Sequence, residues 1–143
     1  MSRFVLDASL AAAWLFEDEQ TAATEAALDL LTTHEAVVPP LWEYEIANVI
    51  VGAQRRGRMS AARAIRASET LVRLPIRVAH AEFVQPVISS LVGLAWHRGL
   101  TAHDAAYLWL AERTGLALGT CDRALADAAR ASGVPLLVDQ LQA

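Results

Sequence analysis

The chain has 143 residues, of which 55% are hydrophobic and 20% are charged, and its formal net charge is −4. This length suffices for one domain with a sizeable core, and the composition excludes a disordered chain. No apolar run reaches the roughly 20 residues that span a membrane, no secretory signal opens the chain, and Cys121 is the only cysteine, so we expect a single cytoplasmic domain over residues 1–143.

Strand-like and helical patterns alternate along the first half of the chain. The run "RFVL" predicts a short buried strand, and "AVV" predicts a second strand, which Pro39 and Pro40 stop. Gly57 ends one helical pattern, and Ser60 is a candidate N-cap for the next. The predicted elements are strands over 3–6 and 36–38 and helices over 8–16, 20–33, 42–56 and 61–73.

The second half continues the alternation. The runs "PIRVA", "LALGT" and "PLLV" predict three further short strands. Gly99 and Gly115 end helical patterns and Thr101 is a candidate N-cap, whereas Pro86 is tolerable only in the first turn of a helix. The predicted helices cover 82–98, 102–114 and 122–132.

This order of elements indicates the α/β class, with a mostly parallel sheet of about four or five short strands between two helical layers. In such sheets, ligands bind at the carboxyl ends of the strands. Asp7 directly follows the first predicted strand, and Asp122 follows the "LALGT" strand. If these two strands are neighbours, their carboxylates converge at one edge of the sheet.

Two further acidic residues stand beside apolar neighbours near the start of a predicted helix. Glu45 is one, with Asn48 at helix spacing on the same face, and Asp104 is the other. Each acid also has an ordinary structural interpretation. Asp7 and Asp122 are favoured N-caps, Asp104 suits the positive end of a helix dipole, and Glu45 suits an exposed surface.

The four acids have a further interpretation if they meet at one place. Without a cation, repulsion and desolvation would raise their pKa values or drive them apart. A shared divalent metal ion removes that difficulty, and an all-oxygen ligand set suits Mg²⁺ or Mn²⁺ rather than zinc. Such an ion activates water and stabilises the charge of a reacting phosphodiester.

The cations are concentrated in one stretch of the chain. All 12 of them are arginines, and seven fall within residues 55–77, where Glu69 is the only acid. Arginine suits bidentate contact with phosphate, and a solvated helix face is the alternative interpretation. The candidates for such contact are Arg55, Arg56 and Arg58.

Four segments carry a resemblance to a known family, in its order and at its usual separations. They are "FVLDAS", "PPLWEYEIANVI", "GLTAHDAAYLWLAERTG" and "LGTCDRALADAARASGV". With these segments the chain resembles PIN-domain proteins, in particular the VapC toxins of type II toxin–antitoxin pairs. The resemblance covers nearly the whole chain, and its motifs are specific in combination although not singly.

The resemblance implies a three-layer α/β/α sandwich and assigns roles by position. An acidic quartet would hold Mg²⁺ or Mn²⁺, and three polar residues would support the quartet by hydrogen bonds. The quartet is Asp7, Glu45, Asp104 and Asp122. The supporting residues are Ser9, Asn48 and Thr120.

The function implied by the resemblance is endonucleolytic cleavage of RNA by metal-activated water. Relatives act on transfer or ribosomal RNA to halt translation, as homodimers that a VapB-type antitoxin silences. The expected partners are therefore RNA, an antitoxin and a second copy of the chain, with no membrane. Arg55, Arg56 and Arg58 would contact the RNA or the antitoxin.

Two alternatives remain open within the same fold. One is a PIN nuclease in RNA processing, and the other is a non-catalytic module that only binds RNA. The full quartet argues against the second, because a pure binder has no need for four repelling acids. The roles of His103 and Asp127 also stay open, although Asp127 suits an ion pair with Arg123 or Arg130 at helix spacing.

Overall fold

The protein is described by a computed structural model that covers residues 2–142. Short strands alternate with helices, as the sequence predicts. The strands are β1 (Ser2–Leu6), β2 (His34–Val38), β3 (Ile76–Val78) and β4 (Leu118–Gly119). The helices are α1 (Ala8–Ala13), α2 (Ala22–Leu30), α3 (Leu41–Arg55), α4 (Ala61–Arg73), α5 (Ile88–Arg98), α6 (Ala102–Thr114), α7 (Arg123–Ala131) and α8 (Leu137–Leu141).

The four strands form one parallel sheet in the order β3-β2-β1-β4. Val5 of β1 pairs with Val37 of β2 on one side and with Leu118 of β4 on the other. The last three residues of β1 and of β2 are buried, as is usual for a parallel sheet covered on both faces. The expectation of neighbouring first and "LALGT" strands is therefore confirmed.

Crossovers between parallel strands of one sheet are right-handed as a rule. Applied to the observed strand order, this rule places α1 to α4 on one face of the sheet and α5 and α6 on the other. In agreement with this, α1 packs on α3, α5 packs on α6, and α6 packs on β1. Among residues 2–142, no helix combines the length and the hydropathy that crossing a membrane requires.

The helix predicted over 82–98 is wrong in its first turns. Ala81–Phe83 forms a single 3₁₀ turn, and α5 begins only at Ile88. Pro86 explains the difference, because it offers no N–H to a helix and disfavours helical backbone at the residue before it. The helix therefore starts after the proline instead of containing it.

The last predicted strand, "PLLV", is also wrong. Leu136 makes one isolated bridge to Leu118, and Leu137 already begins α8. The neighbouring strand β4 has only two residues, so it offers no ladder along which a further strand could extend. The sheet has four strands as a result, at the lower end of the expected number.

Candidate active site

Asp7 stands at the carboxyl end of β1, in the N-cap position of α1, but its side chain does not cap that helix. The backbone N–H groups of Leu10 and Ala11 bond to its main-chain oxygen at 3.2 and 3.4 Å. Asp7 as a whole is 3% exposed. The Oδ2 atom accepts hydrogen bonds from the hydroxyls of Ser9, at 2.5 Å, and Thr120, at 2.7 Å.

The electrostatic surroundings of Asp7 oppose its negative charge. Burial raises the pKa of the Asp7 carboxyl above its usual value, while the hydroxyl donors of Ser9 and Thr120 lower it. The nearby carboxylates of Glu45 and Asp122 raise that pKa further. A buried acid in the field of two others is a poor choice for a residue whose only task is structural.

The turn after β4 is fastened to the turn after β1 by the same hydroxyl groups. Thr120 Oγ1 accepts the N–H of Asp122 at 2.9 Å, and Ser9 Oγ accepts the N–H of Cys121 at 2.9 Å. A Cβ at Gly119 would stand 2.9 Å from a methyl carbon of Leu10, so the glycine leaves room for that side chain beside the turn. The hydrogen bonds between the two turns hold Thr120 within reach of the buried carboxylate.

Asp122 does cap its helix. It occupies the N-cap position of α7, and its Oδ1 accepts the N–H of Leu125 at 2.9 Å. The interpretation of Asp122 as a helix cap is therefore correct for Oδ1, while Oδ2 has no hydrogen bond with residues 2–142. The charge of Asp122 raises the pKa values of both Asp7 and Asp104, so it belongs to the same electrostatic cluster.

Asp104 lies in the first turn of α6, which Thr101 caps by accepting the N–H of Asp104 at 3.1 Å. Partial burial raises the pKa of the Asp104 carboxyl, and the charges of Asp122 and Asp7 add to that effect. Thr101 and His103 act in the opposite direction. The exposed His103 therefore influences this site electrostatically.

Glu45 enters from α3 and is partly buried. Its Oε1 accepts a hydrogen bond of 2.5 Å from the hydroxyl of Tyr107 on α6. The sequence interpretation did not identify Tyr107 as a contact of this site. Its signal was the spacing from Asp104, since residues three apart share a helix face, and a phenol in an otherwise apolar run needs a hydrogen-bond partner when buried.

Other sequence candidates lie outside these contacts. Asn48 is exposed, and its side chain forms no hydrogen bond with residues 2–142, so its supporting role stays a prediction. Asp127 is exposed and pairs with Arg130 at 4.0 Å, as its spacing indicated.

Arg58 bonds to both carboxylate oxygens of Asp18, at 3.0 and 3.1 Å. Its guanidinium also lies 4.3 Å from the ring centre of Phe16.

The arginine cluster is therefore divided in its contacts. Arg58 is held by Asp18 and Phe16, which weakens its candidacy for phosphate contact. Arg55 and Arg56 lie at the end of α3 and are exposed to solvent. These two remain the better candidates for contact with an anionic partner.

The donor atoms of the acidic cluster fit a hard divalent cation. In the part of the chain that the structure describes, no three His, Cys, Asp or Glu side chains converge tightly enough to hold an ion together. One oxygen of each of Asp7, Glu45 and Asp122 has no hydrogen bond with residues 2–142. Oxygen donors of this kind match Mg²⁺ or Mn²⁺ in chemistry.

Comparisons with known proteins identify the family of the chain. Residues 4–131 match the PIN domain family. The chain is 32% identical to Ribonuclease VapC3 of Pyrobaculum aerophilum over 125 residues, which are 87% of this chain and 93% of that protein. It is 35% identical to Ribonuclease VapC9 of Mycobacterium tuberculosis over 129 residues, which are 89% of this chain and 91% of that one.

A solved structure shares the fold over the whole length. The crystal structure of PAE2754 from Pyrobaculum aerophilum superposes with a TM-score of 0.71 at 26% sequence identity. The superposition covers 99% of this chain and 97% of that one. The chain thus shares its overall fold with a protein whose structure was determined by crystallography.

Proposed function

The chain belongs to the PIN-domain family and is of the VapC type, and on that premise we propose that it is a divalent-metal-dependent endoribonuclease. It acts as the toxin of a VapBC-type toxin–antitoxin pair. The proposed substrate class is transfer or ribosomal RNA, whose cleavage stops translation. The proposed setting is the cytoplasm.

One observation carries the catalytic part of this proposal. Asp7 occupies an N-cap position without capping, is 3% exposed, and has its Oδ2 held by two hydroxyl groups. The protein keeps this acid where burial and two other carboxylates oppose its charge. A cation bound beside it removes that cost, which is why a metal-ligand role accounts for the arrangement better than a structural one.

Asp7, Glu45, Asp104 and Asp122 are the residues that would hold Mg²⁺ or Mn²⁺. When bound, the ion would supply a Lewis acid that activates water and offsets the charge of the scissile phosphate. The protein contributes preorganised oxygens: the Ser9 and Thr120 hydroxyls hold one oxygen of Asp7, so that the other is presented in a fixed orientation.

The proposed antitoxin site is an apolar groove between α3 and α4. It has a volume of about 380 Å³, and its lining includes Trp42, Ile46, Leu71 and Val72. The indole N–H of Trp42 is buried without a hydrogen-bond acceptor among residues 2–142. A bound peptide would offer both apolar side chains and a carbonyl oxygen there, which supports this assignment.

The proposed homodimer contact is an apolar stripe along α5. Ile88, Val92 and Trp96 follow one another at intervals of one helical turn, and all three are exposed. Such a stripe is typical of a surface that a partner covers. We expect a solution mass of two chains by light scattering, and of one chain for Trp96→Glu, because that change places a charge in the contact.

The activity is tested with purified protein freed of any antitoxin and total RNA as substrate. We expect cleavage with Mg²⁺ or Mn²⁺, none with EDTA, and none with Asp7→Asn, which keeps the shape of the side chain but removes its charge. Asp29→Asn, on the exposed face of α2, is the matched control and should cleave like the parent protein. Cleavage by Asp7→Asn at the parent rate would refute the assigned site, and RNA binding without cleavage would favour a module that only binds.

A further inference from the structure

Tyr107 is the largest side chain among those fully buried in the described part of the protein, and it is the only one of them with a hydroxyl group. Its hydroxyl donates to Oε1 of Glu45 at 2.5 Å. This distance is at the short end for a hydroxyl on an ionised carboxylate, where such bonds are stronger than those between neutral groups. The bond joins α6 to α3 beside the acidic cluster.

The position of Tyr107 couples two of the four acids. It lies three residues after Asp104 on α6, so the two side chains share a helix face. The hydroxyl of Tyr107 also bonds to Glu45 on α3.

Glu45 needs such a contact if it is to act as a ligand. It is partly exposed, and a free Glu side chain has several rotatable bonds whose freedom is lost on ordering. A rigid, buried donor fixes one carboxylate oxygen in advance. The second oxygen then approaches an ion without a further ordering cost.

We propose that Tyr107 is a positioning residue for the metal site, whose hydroxyl holds Oε1 of Glu45 so that Oε2 is presented to the divalent ion. The inference rests on the proposed function, since it assumes that Glu45 is a metal ligand. It assigns to a residue of the apolar α6 core a role in metal affinity. Tyr107 itself contacts neither the ion nor the RNA.

The test measures Mn²⁺ affinity by electron paramagnetic resonance for the parent, Tyr107→Phe, Glu45→Ala and the double variant. Tyr107→Phe keeps the buried ring and removes only the hydroxyl, and it should bind Mn²⁺ about tenfold more weakly. In the Glu45→Ala background the same change should have no effect, because the hydroxyl then has no carboxylate to position. The matched control is Tyr44→Phe, since Tyr44 is 76% exposed and adjoins Glu45 on α3.

Several results would overturn the inference. An equal loss of affinity in both backgrounds would show that Tyr107 acts through general packing, and unchanged affinity in Tyr107→Phe would show that it does not act on the site. Glu45→Asp tests the acceptor of the hydrogen bond, because the shorter side chain keeps the charge but moves the carboxylate away from the Tyr107 hydroxyl. Parent-like Mn²⁺ affinity of Glu45→Asp would also contradict the inference. If the parent protein binds no Mn²⁺, the proposed function itself fails. Thermal melting in EDTA establishes that each variant is folded.

Discussion

The turns after β1 and after β4 place an aspartate in the same position and use it differently. Asp7 and Asp122 each follow a parallel strand and each occupy the N-cap position of the next helix. Asp122 caps α7 through Oδ1, whereas Asp7 forms no capping bond and accepts two hydroxyl groups instead. The N-cap position therefore does not determine the role of an aspartate; the donors around it do.

The difference originates in the neighbours of the two residues. Ser9 and Thr120 offer hydroxyls on the side of Asp7 that faces β4, and both are tied to the backbone of the second turn. Asp122 has a more exposed carboxylate and the N–H of Leu125 within reach. Asp122 stabilises α7 through its cap, whereas the negative charge of Asp7 is opposed by burial.

The largest expected effect concerns the negative charge that both aspartates bring to the proposed metal site. Asp122→Asn should reduce metal-dependent RNA cleavage about 100-fold or more, because the amide lacks the charge that a metal ligand provides. Asparagine caps helices as well as aspartate does, so α7 should be unaffected. The measurement is a cleavage time course with Mn²⁺. Asp127→Asn, on the same helix and exposed, is the control; loss of cleavage in both variants would contradict a specific role for Asp122.

The next effect concerns the residue that joins the two turns. Thr120 donates to Asp7 and accepts from the N–H of Asp122. Thr120→Val keeps the shape and loses both bonds, and it should weaken Mn²⁺ binding about tenfold, or about 1.4 kcal/mol. Thr120→Ser retains the hydroxyl and should bind nearly as the parent does. If both variants bind equally well, the hydroxyl does not position Asp7.

A smaller effect isolates the capping function. In EDTA, Asp122→Ala should lower the free energy of unfolding by about 1 kcal/mol, because the N–H of Leu125 loses its acceptor. Asp122→Asn should stay within a few tenths of a kcal/mol of the parent. Urea denaturation measures both. Equal stability of the two variants would mean that the capping bond contributes nothing.

Much of the fold was accessible from the sequence, since its signals are local. Ser60 and Thr101 are N-caps, and the helices they begin cover 61–73 and 102–114 as predicted. The apolar runs of β1 and β2 likewise indicated buried parallel strands. Proline also acts locally. The helix predicted over 82–98 is wrong at its start because it includes Pro86, whereas α5 begins after that proline.

The candidate site was accessible only in part, because its contacts join residues distant in sequence. The bond between Tyr107 and Glu45 spans 62 positions, and that between Arg58 and Asp18 spans 40. No local pattern announces either one. The four acids could be identified as a set from the sequence, because each follows a strand or lies near the start of a helix. The groups that form hydrogen bonds or ion pairs with charged residues depend on tertiary packing instead.

The smallest expected effect distinguishes Asp7 from Asp122 by whether replacing the aspartate with asparagine raises the free energy of unfolding. Burial raises the pKa of Asp7 above its usual value of 3.8, so the folded protein holds that proton more tightly than the unfolded chain does. The stability of the metal-free protein should therefore fall as pH rises from about 3.8 through the raised value. Asp7→Asn removes this loss and should be more stable than the parent at pH 7 in EDTA, by on the order of 0.5 kcal/mol. The gain is small because the amide accepts weaker hydrogen bonds from Ser9 and Thr120 than the carboxylate does.

Thermal melts of the parent and Asp7→Asn from pH 4 to pH 8 measure this difference, which should narrow as the pH falls through the raised pKa of Asp7, because the folded parent then takes up a proton that removes the buried charge. Asp122→Asn should show no comparable gain, since Asp122 stabilises α7 through its cap. A lower stability of Asp7→Asn at pH 7 would mean that the two hydroxyl bonds outweigh the burial of the charge. In that case Asp7, like Asp122, would stabilise the metal-free fold, and burial could no longer be counted as a sign of its metal-binding role.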